Sequence, residues 1–170
     1  MPKLILISEK QERQNSIIET FHNDIGSLIR ICGFQFKKYF DDLGHLVALD
    51  WFSFLRRETL FTLQFDRPDL PLYSQIEPFL EDILRELSIF QLVDVFLFDE
   101  LGLIEPFVKP LQQQLITIFS SKHSVIATVN RINRDKIDYL NRIRDIQYQT
   151  IDEQNNDKFY LKLIGELYDR

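Results

Sequence analysis

Asp94-Val95-Phe96-Leu97-Phe98-Asp99-Glu100-Leu101-Gly102-Leu103-Ile104-Glu105 is an apolar run that ends in two adjacent carboxylates and a glycine. The run is too short for a helix of its own and rich in Val and Phe, which predicts a central parallel strand, Asp94–Phe98, buried on both faces. Acids at the carboxyl end of such a strand stand at the rim where open α/β sheets bind ligands. Asp99 is then placed to hold Mg²⁺ through water, and Glu100 to orient or deprotonate an attacking water. The same residues also describe a buried strand that ends at a solvated Asp-Glu turn, and the run alone does not separate the two.

Working outward, Lys3–Ser8 (KLILIS) is a second continuous apolar run of the inner-strand type. The wholly polar segment Glu9–Ser16 follows it, and then Ile17, Ile18, Phe21 and Ile25 recur at helical spacing. A glycine-rich phosphate loop would lie between this strand and this helix. Here the first glycine of the chain is Gly26. Leu28–Phe36 and Leu46–Phe54 read as a hairpin around the turn Asp41-Asp42-Leu43-Gly44, with a further strand at Thr59–Phe65. Asp66–Pro71 is a loop by composition. Ser74 and Glu77 have the spacing of a capping box, ahead of an apolar stripe of Ile76, Phe79, Leu80, Ile83, Leu84 and Leu87.

On the far side of the acid pair, Pro106 and Pro110 suit only the first turn of a helix whose inward residues are Leu111, Leu115 and Ile118. A strand at Ser124–Val129, a short helix at Arg134–Ile143, a strand at Ile146–Ile151 and a closing helix at Asp157–Leu167 complete the chain. Strands alternating with helices predict a parallel sheet covered on both sides, with Lys3–Ser8, Asp94–Phe98 and Ser124–Val129 central and Asp99 beside the Ser8–Gln14 loop.

Composition bounds the function. With 170 residues and 45% apolar content, residues 1–170 form one domain with a full core. The single Cys32 leaves no internal disulfide and no Cys-based zinc site. No leader pattern or long apolar span is present, so the chain is expected to be soluble and cytoplasmic, with no membrane partner. Net charge is −6 and no Lys/Arg cluster exceeds a pair, which argues against nucleic acid as a partner. His22, His45 and His123 lack ligand spacing, and Trp51, Phe52 and Phe54 read as sheet packing.

The order Asp99-Glu100-Leu101-Gly102-Leu103-Ile104-Glu105, Val125-Ile126-Ala127-Thr128, Ile143-Arg144, Gln154-Asn155-Asn156-Asp157, with Gly33-Phe34 ahead of the hairpin, resembles a known family in sequence and spacing. This is the small P-loop nucleoside-triphosphatase family of thermophiles, known in animals as cancer-related nucleoside-triphosphatase. Only the D-E-x-G-x-x-E element, a Walker B strand, is specific. The resemblance implies a three-layer α/β fold of P-loop NTPase (RecA-like) type, its mostly parallel sheet interrupted by a β-hairpin excursion after the first helix. It implies Asp99 as the metal ligand and Glu100 and Glu105 as catalytic acids. It also implies Ser8, Arg13, Gln14, Asn15 and Ser16 as the phosphate loop and Asn155 and Asp157 near the nucleotide base. Helix-terminus chemistry offers the alternative that Glu105, Asn155 and Asp157 are caps.

The departure lies in the first loop. Ser8, Gln11 and Arg13 occupy the family's glycine positions, Gln14 its lysine, and Asn15 and Ser16 its two threonines. Side chains there fill the space that close backbone approach to phosphate requires, and a neutral Gln14 cannot replace the bridging cation. Two functions follow. In the first the chain is a degenerate member, a binding or scaffold module for a protein partner, with no cofactor. In the second it is a triphosphatase using Mg²⁺ and ATP or GTP through an unusual loop. Without that lysine the acid pair is expected to share a cleft with no cation, so that facing carboxylates raise one another's pKa. The Phe-rich hairpin at 34–54 is the expected partner surface.

Overall fold

The computed structural model describes residues 3–9, 17–151, 161 and 164–165. Among them, seven strands form one sheet: β1 (Lys3–Ser8), β2 (Ile31–Phe40), β3 (Leu46–Ser53), β4 (Glu58–Gln64), β5 (Val95–Leu101), β6 (Ser124–Asn130) and β7 (Ile146–Ile151), in the spatial order β4-β3-β2-β5-β6-β1-β7. β2, β5, β6, β1 and β7 run parallel, and β2, β3 and β4 form an antiparallel meander at one edge. This is the mostly parallel sheet with a hairpin excursion that the sequence predicts. β6 is buried along its whole length and β5 at every residue but Glu100, as continuous apolar runs require when both faces are covered.

The two faces are read off alternating residues. Ile5, Phe96, Phe98, Val125, Ala127 and Val129 point into one core with α2 (Leu72–Glu86) and α3 (Lys109–Phe119). Leu4, Leu6, Val95, Leu97 and Ile126 point into the other with α1 (Ile17–Ile25), whose Ile17, Ile18, Phe21 and Ile25 are buried. Ile164 packs at the edge of that second core.

Five expectations change. The central strand does not stop at Phe98 but carries Asp99, Glu100 and Leu101 within it. Residues 28–30 precede β2, which instead extends to Phe40, because its pairing with β3 continues past its pairing with β5. No capping box forms: α2 starts at Leu72 after Pro71, without a side-chain cap. Pro71 fits there because the first amides of a helix lack intrahelical partners in any case. The apolar stripe of α2 also leaves Phe79 substantially exposed, stacked on Phe61, and brings Glu86 inside. The helix expected at Arg134–Ile143 is a 3₁₀ segment, Arg131–Leu140, kinked at Ile137 and capped by the Asn130 side chain on the Ile132 amide at 3.1 Å.

Candidate functional site

The carboxyl ends of β1, β6 and β5 meet at one rim, with Ser8 opposite Asn130 and Leu101 opposite Val129. One strand, β6, lies between β5 with Asp99 and β1, which ends at Ser8; residues 10–14 of the loop expected beside Asp99 lie outside the described residues. Asp99 and Glu100 together face only the Thr128 step of β6: pairing jumps from Phe98–Ala127 to Leu101–Val129, so β5 bulges at its two acids. Glu100 takes the left-handed backbone conformation, φ +63, and Gly102 follows at φ +89. A β-strand residue with a side chain adopts such a φ only when its surroundings over-determine it. Thr128 supplies that constraint. Its hydroxyl donates to Asp99 Oδ1 at 2.9 Å and accepts from the Glu100 amide at 2.8 Å, fixing both acids to the end of β6.

The bulge turns Glu100 toward β2, where Lys38 Nζ lies 2.7 Å from Glu100 Oε2. Both side chains are largely covered, with exposures of 17% and 16%. The expectation of an acid pair without a cation is therefore wrong. Lys38 is there because β2 runs past the end of its pairing with β5 at Phe34–Phe98. Phe34, Phe36 and Lys38 follow one another on one face of the strand, the first two in the core. That period of two, with a lysine continuing an inward apolar face, is the signal by which Lys38 could have been found. Thr128 stands in the sequence as part of Val125-Ile126-Ala127-Thr128, but its two bonds depend on a register no motif conveys.

Glu105 does not join a cluster of facing carboxylates. It is fully buried in the 3₁₀ turn Glu105–Phe107. Oε1 accepts from the Gly102 amide and, at 3.1 Å, from the Tyr139 hydroxyl; Oε2 is buried without a partner. Its pKa is pushed up to about 7, above all by burial, while the Gly102 amide, its own amide, the Tyr139 hydroxyl and the Ile104 amide pull it back down. Tyr139 rises as well, from its own burial and then from the nearby Glu105 charge. Glu105 thus ties the turn after the acid pair to the 3₁₀ segment that follows β6. Its bond to the Gly102 amide closes the turn between β5 and the 3₁₀ turn Glu105–Phe107, which has no side-chain cap of its own.

Among the other expected site residues, Ser8 ends β1 at this rim, half-buried. Arg13, Gln14, Asn15, Ser16, Asn155 and Asp157 lie outside the described residues. Glu9, just after β1, pairs with Arg131 at 2.9 Å, which joins the exit of β1 to the exit of β6. Among the described residues no three His, Cys, Asp or Glu side chains converge as a metal cage. One carboxylate of the pair is held by an ammonium and the other accepts from Thr128. Octahedral Mg²⁺ asks for a set of free oxygen donors, so these residues do not fit a divalent ion as they stand.

A family model described as NTPase matches residues 54–164. The match takes in Asp99, Glu100, Glu105 and Thr128 and begins after the first loop. No curated protein sequence matches the chain. Among solved structures, THEP1 from the hyperthermophile Aquifex aeolicus superposes with a TM-score of 0.67 at 18% identity, over 97% of this chain and 98% of that one. A human cancer-related nucleoside triphosphatase superposes with a TM-score of 0.71 at 13% identity, over 97% and 96%. These likenesses show the P-loop NTPase fold, and a model match over more than half the residues, including the strand with the acid pair, shows that the chain belongs to the NTPase family.

Proposed function

We propose that this family member is a binding or scaffold module that does not hydrolyse nucleoside triphosphates. The observation that carries the reading is the placement of positive charge. Where the family has its phosphate-bridging lysine the chain has Gln14, and among the described residues a lysine of β2, Lys38, is engaged by Glu100 at 2.7 Å. Phosphoryl transfer depends almost wholly on positioning and charge neutralisation at the phosphates. On this reading the module works in the cytoplasm through a protein partner, without nucleic acid, membrane, Mg²⁺ or nucleotide.

The second reading, a Mg²⁺-dependent ATPase or GTPase with an unusual loop, is favoured by one feature. Glu100 is held in a costly backbone conformation, and Thr128 fixes it together with Asp99, as in a working acid pair. Phosphate release from Mg²⁺-ATP and Mg²⁺-GTP separates the two. The module shows the same background rate in the wild type and in Glu100→Gln. Turnover in the wild type that disappears in Glu100→Gln establishes the enzyme.

A further inference from the structure

We propose that the outer edge of β4 is a strand-pairing surface for a second copy of this chain, held closed by the carboxamide of Gln75. β4 is the last strand of the sheet on the meander side and pairs with β3 alone among the described residues. A strand in that place turns the N–H and C=O groups of alternate residues outward, where another chain can pair with them. Phe65 donates to the Val47 carbonyl at 2.8 Å, and that bond sets the alternation. Leu63 and Phe61 turn their backbone groups to β3, whereas Gln64 and Thr62 turn theirs to the open side. The side chains give no protection. Thr59-Leu60-Phe61-Thr62-Leu63-Gln64-Phe65 contains no charge and no proline, the composition in which identical segments pair with one another.

What closes the edge comes from α2. Gln75 Oε1 accepts from the Gln64 amide at 2.7 Å, and its Nε2 donates to the Gln64 carbonyl at 2.8 Å and to the Leu70 carbonyl at 3.0 Å. One side-chain amide thus makes the donor and the acceptor bond that a neighbouring strand would make at Gln64. Phe79, one turn further along α2, stacks on Phe61 at 4.5 Å and holds the helix against the strand. On the other side of Thr62 the ladder skips Leu60, passing from Phe61–Trp51 to Thr59–Phe52, a bulge that interrupts the regular edge. Gln64 and Thr62 are therefore the regular outward-facing positions, and Gln75 occupies the first. With Gln75 removed, two antiparallel β4 strands related by a two-fold axis at Leu63 set each Thr62 against Gln64 of the second copy, with no like charges opposed within the run.

The inference stands apart from the proposed function, and its test needs no nucleotide. Wild type and Gln75→Ala are compared by sedimentation velocity over a range of concentrations, and their backbone amides by hydrogen exchange. The wild type should remain a monomer, while Gln75→Ala should dimerise at roughly 0.1–1 mM protein, as a short strand pairing between two copies allows. In that dimer the Thr62 amide should exchange at least about tenfold more slowly than in dilute Gln75→Ala. A Gln75→Ala protein that stays monomeric throughout, or a wild type that associates to the same extent, overturns the proposal. So does a dimer whose Thr62 amide exchanges as in the monomer, since the contact then lies elsewhere. If Gln75→Ala does not fold, the wild type decides the matter by exchange at Gln64 and Thr62, each taken relative to its rate in an unstructured peptide. A Gln64 amide slowed at least about tenfold more than that of Thr62 supports the closed edge, and equal slowing overturns it.

Discussion

Glu105 carries the most unfavourable solvation in the described part of the site, since its carboxyl is fully buried and one of its oxygens has no partner. Its folded pKa of about 7 lies above the ordinary 4.5, so the native state holds a proton that the unfolded chain releases. The associated stability is complete below the unfolded pKa and is lost as pH rises through the folded one. Between pH 4.5 and about 7 the loss reaches about 3 kcal/mol, and above that it stays constant. Glu105→Gln copies the protonated form and removes the titration. Its melting temperature relative to wild type should therefore climb from pH 4.5 to pH 7, and a difference flat with pH would show that Glu105 is solvated. The position of Glu105 was legible from D-E-x-G-x-x-E, but its burial was not. Tyr139 lies 34 residues away on the segment that covers it. Lys38 was not read at all, because the expected strand ended at Phe36, whereas β2 continues to Phe40 and carries the Phe34-Phe36-Lys38 alternation beyond its pairing with β5.

At the level of the elements, two joints hold the site. The first is the bulge of β5 against β6, where Thr128 both donates and accepts. Thr128→Val deletes both bonds without changing volume and should cost about 1–3 kcal/mol in denaturant unfolding, whereas Thr128→Ser should cost much less. Equal losses for the two would assign the role of Thr128 to its methyl group. The second joint is Gly33, at φ +133 in β2, where an added Cβ would stand 1.8 Å from the Leu97 carbonyl oxygen. Gly33→Ala should separate β2 from β5, costing about 3 kcal/mol or more, and carry Lys38 away from Glu100. A Gly33→Ala protein as stable as wild type would contradict this packing. The strands themselves were legible because apolar runs and alternation are local. The start of α2 was missed because the Ser74/Glu77 spacing mimics a cap, while the chain enters the helix earlier, after Pro71. The bulge was missed because it is a relation between two strands.

For the whole molecule, the strand order brings the ends of β1, β6 and β5 to one rim and extends β2 beyond them. Much of the aromatic content of the 34–54 hairpin lies in the core. Phe34, Phe36 and Trp51 are buried in one core, with Phe34 packed on Trp51 at 4.5 Å, and Phe54 is buried in the other, because aromatic residues on covered faces form core. Among the described residues no helix is long and apolar enough to cross a membrane. The three-layer architecture was legible from alternating runs and from the acid-pair motif. Function was less so, because it depends on which charges meet at the rim. The most direct test of the proposed function is calorimetric titration of the purified protein with Mg²⁺-ATP and Mg²⁺-GTP at near-millimolar nucleotide, paired with the melting temperature. The module should give no heat of binding and no shift. A ligand present at a hundred times its dissociation constant would add about 2.7 kcal/mol of stability, so saturable heat with a rise in melting temperature of several degrees would contradict the account.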